Sequence, residues 1–218
     1  MKLLYPFAKR YIAGDDLRSA QIVANLLSDN GFEISFNYVG EYSKTLDEAA
    51  LVQNQYFEII NRYQNNQIDL SIKPSQFGLL ISREHCESLL QQVAEKAHNY
   101  GQTIRFDMEH STITDRTLDL CLKLNQKYPK TIGVALQAKL FRTQDDMIEL
   151  IDNNISIRLV KGAYLEKKSI ALSRYKDIQD NYLQLTELLR NKTNRRCAVA
   201  THDEIILNQI FKFLYPCI

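Results

Sequence analysis

Residues 34–41 read Ile34-Ser35-Phe36-Asn37-Tyr38-Val39-Gly40-Glu41. Ile34–Val39 is short and rich in β-branched and aromatic residues, as a strand requires, and Gly40 ends it. The turn after this strand decides the fold. A doubly wound sheet that cradles phosphates carries a glycine-rich first turn, but Gly40 stands alone here. No G-x-G-x-x-G or G-x-x-x-x-G-K-[ST] occurs anywhere in the chain. Working outward, five more runs have strand character: Asp69–Lys73, Thr103–Glu109, Ile132–Gln137, Ile155–Val160 and Cys197–Thr201. Helical patterns with recognisable starts lie between them. Asp15 or Asp16 opens a helix to Asn30, with Leu17, Ala20, Val23, Ala24 and Leu27 on one face and Gly31 at its end. Thr45-Leu46-Asp47-Glu48 is a capping box. Ser82 caps a helix to Tyr100, stopped by Gly101; Thr114 opens a stretch to Tyr128, and Thr143 one to Asp152. Six β-then-α units with crossovers of this length imply parallel strands. With no phosphate-binding turn, a TIM-type α/β (β/α) barrel is favoured over a doubly wound sheet, with about six βα units in a single domain over residues 1–218.

Composition limits the function. Of 218 residues, 45% are hydrophobic and 24% charged, the balance of a globular chain with a full core, not of a disordered or coiled-coil one. Lys+Arg of 27 against Asp+Glu of 26 leaves a net charge of +1, which argues against a nucleic-acid-coating protein. The apolar runs are too short to span a bilayer, and the Met1–Ala8 start is too soon interrupted by Lys9-Arg10 for a secretory signal. Cys86, Cys121, Cys197 and Cys217 are far apart in sequence, so free thiols in a reducing cytosol are expected.

Strands buried on both faces should be continuously apolar. The exceptions collect at the C-terminal ends: Lys73, Asp107 and Glu109, Gln137 with Lys139 beyond it, Arg158 with Lys161, and Thr201-His202-Asp203. In a barrel these residues ring one mouth, where active sites of this architecture sit. Lys73, Lys139, Arg158 and Lys161 outnumber Asp107, Glu109 and Asp203 by one, which suits an anionic ligand such as a carboxylate or pyrophosphate. If Asp107 points inward, so do Arg105 and Glu109, and the three charges must pair with one another or with a ligand. Arg158 and Lys161 differ in parity, placing Lys161 beyond the regular strand. One His among carboxylates, His202 with Asp203 and Glu109, is poor metal-ligand evidence, so no metal is expected. No nucleophile elbow supports a Ser-His-Asp triad. Cys197 reads as core, and His85, His98 and His110 as surface or capping residues.

Several strings are similar to those of the proline dehydrogenase flavoenzymes: Arg10–Gly14 (RYIAG), Tyr38–Glu41 (YVGE), Ser71–Leu79 (SIKPSQFGL), Ile104–Glu109 (IRFDME), Thr114–Thr117 (TDRT), Leu136-Gln137-Ala138, Arg158–Tyr164 (RLVKGAY) and Ala200–Asp203 (ATHD). They keep the order and spacing of that family from about residue 9 to 205. The resemblance implies a (β/α)8 barrel holding FAD at its C-terminal mouth. It implies oxidation of L-proline to Δ1-pyrroline-5-carboxylate by hydride transfer from C5 to flavin N5, electrons passing to a membrane quinone. Carried over by position, Lys73 would hold the proline carboxylate, with Asp107 lining the site. Gln137 would hydrogen-bond the flavin ring and Arg158 would sit near N5. Lys161, Gly162, Ala163 and Tyr164 would shape the flavin and substrate pocket, and Thr201 and His202 would contact the FAD chain.

Two residues depart from the family pattern: Lys139 stands where tyrosine is common, and Pro74 where leucine is common. The family also continues through a seventh and an eighth strand to a final helix with a Tyr-x-x-Arg-Arg motif that clamps the substrate carboxylate. The chain closes at Phe213-Leu214-Tyr215-Pro216-Cys217-Ile218 without these. By this resemblance the barrel is C-terminally truncated. An oligomer covering its open edges and a peripheral contact at the inner face of the membrane are compatible with a cytoplasmic location. The alternative is a catalytically inactive remnant or interaction protein of the same fold.

Overall fold

The computed structural model describes residues 12–193 and 195–214; Arg10 and Tyr11 of the first matching string and Tyr215–Ile218 lie outside the described residues. In chain order the elements are α1 (Leu17–Asp29), β1 (Ser35–Asn37), α2 (Leu46–Arg62), β2 (Asp69–Ile72), α3 (Arg83–Asn99), β3 (Thr103–Phe106), α4 (Thr114–Lys127), β4 (Ile132–Gln137), α5 (Thr143–Asp152), β5 (Ser156–Val160), α6 (Tyr175–Lys192), β6 (Ala198–Ala200) and α7 (Glu204–Leu214). The six strands form one sheet in the order β1-β2-β3-β4-β5-β6, every neighbouring pair parallel. A doubly wound sheet reverses its strand order at a switch point. This one never does, so it is barrel wall, as expected.

The sheet curls strongly enough that residues of non-neighbouring strands meet across its concave side. Arg158 of β5 donates through Nη2 to Ser71 Oγ of β2 at 2.9 Å. Glu33, before β1, contacts Arg196, before β6. The result is a curled half-barrel of α/β architecture.

Alternation of side chains across the strands divides the core from the interior. Phe36, Leu70, Ile72, Ile104, Phe106, Ile132, Val134, Leu136, Ile157 and Leu159 are buried and belong to the hydrophobic core with helix residues such as Tyr56, Ile60, Leu90, Val93, Leu120, Met147 and Tyr182. The opposite face carries Ser35, Asn37, Asp69, Ser71, Thr103, Arg105, Gly133, Gln137, Ser156 and Arg158. Polar residues therefore run the whole length of the inner face, and the expectation that they gather at the C-terminal ends is corrected. Near the strand starts, Asp69 accepts hydrogen bonds from Ser35 Oγ and Thr103 Oγ1, both at 2.8 Å, and from Arg105 Nε at 3.3 Å. The Arg105 guanidinium continues to Ser156 Oγ at 3.4 Å. Gly133 makes room for it, since a Cβ there would lie 3.0 Å from Arg105 Nη1 and 2.9 Å from the Ser156 carbonyl oxygen.

Helix starts agree with the sequence signals where a side-chain oxygen is free to cap. Asp16 Oδ1 accepts from the Ser19 amide at 2.7 Å, Thr45 Oγ1 from Glu48 at 3.1 Å and Ser82 Oγ from His85 at 3.2 Å. Glu48 reaches back one residue further than a capping box requires, to the amide of Lys44 at 2.6 Å. Two starts differ. A 3-10 turn, Ser111–Ile113, leads into α4, and Thr114 makes no cap. Thr143 donates instead to the Gln137 carbonyl at 2.5 Å, tying α5 to the end of β4. A 3-10 turn Pro74–Phe77 comes after β2, with Pro74 at its first position, where a missing amide costs no hydrogen bond.

Ile104 is fully buried in the outward-facing core. Ile104→Ala is expected to destabilise the fold by about 2–5 kcal/mol through lost apolar burial and a residual cavity, measured by chemical denaturation.

Candidate active site

Four strands contribute to one hydrogen-bonded group at the upper end of the inner face. Asp107, just past β3, accepts from Asn37 Nδ2 of β1 at 3.0 Å and from Ser71 Oγ of β2 at 2.8 Å, and it pairs with Arg158 of β5. Arg158 and Asp107 are 20% and 17% exposed, so the ion pair is shielded yet open on one side. Arg158 Nε is buried with no hydrogen-bond partner.

A second group holds the loops after β2 and β3. Glu109 is fully buried, accepting from the Ser75 amide at 3.1 Å and from Ser75 Oγ. Burial pushes its carboxyl above the usual carboxylate range, only partly offset by the Ser75 bonds and the charge of Lys73. The Glu109 carbonyl in turn accepts from Gln137 Nε2 at 3.0 Å. That fixes the Gln137 amide and leaves its Oε1 buried and unpartnered. Gln137 is 2% exposed, and such an oxygen is costly unless something donates to it.

The third group is the segment after β5. Lys139 gathers it: its amide donates to the Lys161 carbonyl at 3.0 Å, its carbonyl accepts from Leu172 at 2.8 Å, and its Nζ donates to the Tyr164 carbonyl at 2.6 Å. Gly162 has φ of 104°, and a Cβ there would lie 2.6 Å from Lys139 Cδ and 2.9 Å from Gln137 Oε1. Tyr164 donates from its hydroxyl to Glu41 Oε1 at 2.7 Å; burial and that carboxylate push the phenol above its usual range. Lys161 lies past the regular strand, as its parity requires, and contacts Asp203 at 3.2 Å. Burial works against the Lys161 charge, but the bonds to Tyr175 and Asp203 raise its affinity for the proton overall. Thr201 Oγ1 accepts from the Asp203 amide at 3.1 Å, His202 and Ala163 are both exposed, and Lys73 is half-buried beside the 3-10 turn.

The geometry links Asp107 directly to Arg158, and Gln137 to Gly162 across the same strand ends. Lys73 precedes the 3-10 turn that the Ser75–Glu109 bonds hold, and the Lys161 carbonyl accepts from the Lys139 amide. No bond joins His202 to this set among the described residues. The three inward charges of β3 do not pair with one another. Arg105 goes to Asp69, Asp107 to Arg158 and Glu109 to Ser75. Asn37, Glu41, Ser71, Ser75, Tyr175, Gln179 and Glu166 are additions that the sequence reading misses. Asn37 and Ser71 are findable as polar residues at inward parity in otherwise apolar strands, whereas Tyr175 and Gln179 lie on a helix with no such signal. His110 stands at the N-cap position of the 3-10 turn with a partly exposed side chain, as expected, and lies beside Tyr164 at 6.2 Å between ring centroids and 3.7 Å from Glu166. Among the described residues no group of three or more His, Cys, Asp or Glu is placed to hold a metal ion. A cavity of about 1010 Å³ opens at the other end of the strands, and Arg158 alone of the expected site residues lines it.

A sequentially wound α/β half-barrel with charged and amide groups at its C-terminal strand ends defines an incomplete barrel of the TIM type. Comparison with known proteins narrows this: the proline dehydrogenase family profile matches residues 20–213, and the chain belongs to that family. Proline dehydrogenase 1 of Bacillus subtilis (strain 168) is 30% identical over 202 residues, covering 92% of this chain and 66% of the relative. Proline dehydrogenase of Deinococcus radiodurans is 29% identical over 218 residues, covering 97% and 70%. The chain thus spans about two thirds of the length of the curated relatives it matches. Among solved structures, proline utilization A from Bdellovibrio bacteriovorus, inactivated by N-propargylglycine, superposes with a TM-score of 0.82 at 20% identity, over 94% of this chain and 26% of that one. N-acetylneuraminate lyase from Mycoplasma synoviae superposes at 0.51 with 18% identity, over 87% and 62%. These likenesses show the barrel fold.

Asp203 is held ionised below the usual carboxylate range by the Tyr175 hydroxyl, Gln179, Lys161 and the Ile206 amide, against the opposing effect of burial. A depressed folded-state value means its contribution to stability is full above about pH 4, the ordinary carboxylate value, and drains as the pH falls below it. Thermal unfolding is expected to show a smaller acid-induced loss of Tm in Asp203→Asn than in the parent chain.

Proposed function

We propose that this chain binds FAD and oxidises L-proline to Δ1-pyrroline-5-carboxylate, with electrons leaving to a quinone, as a step of proline catabolism towards glutamate. The observation that carries the reading is the buried, unpartnered Gln137 Oε1, approached so closely by Gly162 that a Cβ there would lie 2.9 Å from it, on the sheet that also holds the shielded Arg158. A flat heteroaromatic ring with an N–H suits that arrangement, so the residues present fit a flavin. When bound, FAD supplies the hydride acceptor.

The chain's own residues supply recognition and electrostatics. Oxidation takes a hydride from proline C5 and a proton from its nitrogen. Lys73 offers its ammonium to the proline carboxylate, and the Ser75–Glu109 bonds hold the turn beyond it. Arg158 would place a fixed positive charge on the acceptor side, where negative charge grows as the hydride arrives, and Asp107, Ser71 and Asn37 keep its guanidinium from swinging away. Gln137, oriented by the Glu109 carbonyl, accepts from the ring. Tyr164, anchored on Glu41, forms the pocket wall with Lys161, Gly162 and Ala163, while Thr201 and His202 hold the nucleotide chain. Lys139, where the family commonly has tyrosine, aims its ammonium at the Tyr164 carbonyl and so adds its positive charge to the segment after β5.

The reading extends to a cytoplasmic chain that touches the inner face of the membrane peripherally, where a quinone is available. It also includes an oligomer covering the outer edges of β1 and β6. Among the described residues no helix is long and apolar enough to cross a membrane.

The chain incubated with FAD and freed of excess is expected to be yellow, and anaerobic L-proline to bleach its flavin absorbance. Lys73→Met is expected to raise the half-bleaching proline concentration about tenfold or more, the loss of one charge-assisted hydrogen bond, with FAD uptake unchanged. Flavin uptake without bleaching favours the inactive reading of the same fold, and no uptake sinks the proposal.

A further inference from the structure

Asp203 comes directly after Thr201-His202 at the end of β6, its side chain 4% exposed, and five donors converge on its carboxylate. Oδ1 accepts from the amides of Ile205 and Ile206, at 3.1 and 3.4 Å, which caps α7. Oδ2 accepts from Gln179 Nε2 at 2.9 Å, from Lys161 Nζ at 3.2 Å and from the Tyr175 hydroxyl. Tyr175 and Gln179 are one turn apart on α6, and Lys161 belongs to the segment after β5. One carboxylate therefore ties the ends of two strands to the start of a helix. With its lone pairs engaged, it is in no position to act as a base or a ligand.

Lys161 is the partner with something left to give. An ammonium has three donors. One meets Asp203 and another meets the Tyr175 hydroxyl at 3.2 Å, with Nζ lying 4.9 Å from the Tyr175 ring centroid. The third donor is uncommitted among the described residues, and the side chain keeps 29% of its surface open. A lysine on a loop is otherwise a flexible point charge with large rotamer freedom to lose on binding.

We propose that Asp203 is a positioning residue of the mouth: it pins Lys161 through its ammonium, so that Lys161 presents one fixed cationic donor to an anionic part of the flavin nucleotide. Asp203 acts through Lys161 and does not touch the ligand. This rests on the reading of the mouth as a flavin site.

The test is a double-mutant cycle on the full chain, with FAD affinity read from the quenching of flavin fluorescence. Asp203→Asn keeps an oxygen to cap α7. Its amide replaces Oδ2, and the Tyr175 hydroxyl and Gln179 amide can turn to accept from it, whereas the Lys161 ammonium cannot. Asp203→Asn is expected to weaken FAD binding about tenfold, the scale seen when the partner orienting a binding side chain is lost. In a Lys161→Met background it is expected to have no further effect. Tyr175→Phe, at a residue 58% exposed and tolerant of change, should give a smaller loss that also vanishes in the Lys161→Met background. Unfolding curves of every variant separate lost fold from lost affinity. Equal weakening by Asp203→Asn with and without Lys161, or unchanged affinity, overturns the positioning role while leaving the flavin reading in place. A parent chain that takes up no FAD overturns both.

Discussion

The fold is organised around a curled parallel sheet whose inner face is charged. Arg158 cannot stay shielded inside the curl without a counter-charge, and Asp107 cannot stay there without Arg158. Their pair is usable only because Asn37 and Ser71 take up the remaining lone pairs of the carboxylate. The apolar outward residues hold the helices on, but it is this inner set, drawn from β1, β2, β3 and β5, that sets how tightly the sheet must close. A flatter sheet would leave Arg158 short of Ser71 and the charges without partners.

The same principle of complete pairing runs through the mouth and marks where it is broken. Glu109, Asp203, Tyr164 and Lys139 have all found protein partners and work as struts. Gln137 Oε1, Arg158 Nε, Gln76 Oε1 and His110 Nδ1 have no hydrogen-bond partner, although all four atoms are buried. Donor and acceptor capacity left open inside an otherwise satisfied network is what a ligand would complete. This divides the expected site residues into those that build the wall and those that face inward from it, a division that residue type alone does not supply.

Strand order, parallel direction and most strand positions are legible in the sequence because they depend on local signals: β-branched runs, cap residues and the lack of a glycine-rich turn at Gly40. The residues expected at the mouth are legible because charge in a buried strand is expensive and therefore conspicuous. Groups whose role depends on a partner far along the chain are not. Thr114 and Thr143 look alike as helix starters, yet Thr143 is drawn to the Gln137 carbonyl and Thr114 is buried with its hydroxyl unpaired. Tyr175 and Gln179 sit on an ordinary amphipathic helix, and only the end of β6 reveals them. Of the lower inward layer, Arg105 stands out in the sequence as a charge at inward parity, whereas Ser35, Thr103 and Ser156 escape notice because small hydroxyl residues blend into a strand pattern.

The strictly sequential strand order also bears on how the chain assembles. Each strand docks on its neighbour in the sequence, with register partners such as Ser35 and Asp69 or Ser71 and Arg105, so the sheet can grow by adding one βα unit to the next. The contacts that close the curl are of another kind. Arg158 reaches Ser71 across 87 positions, Tyr164 reaches Glu41 across 123, and Arg196 reaches Glu33 across 163. Closing such loops carries a larger entropic cost and gains nothing until the intervening units are formed. The wall thus comes together by short steps, and the polar latch across it belongs to the last stage of folding.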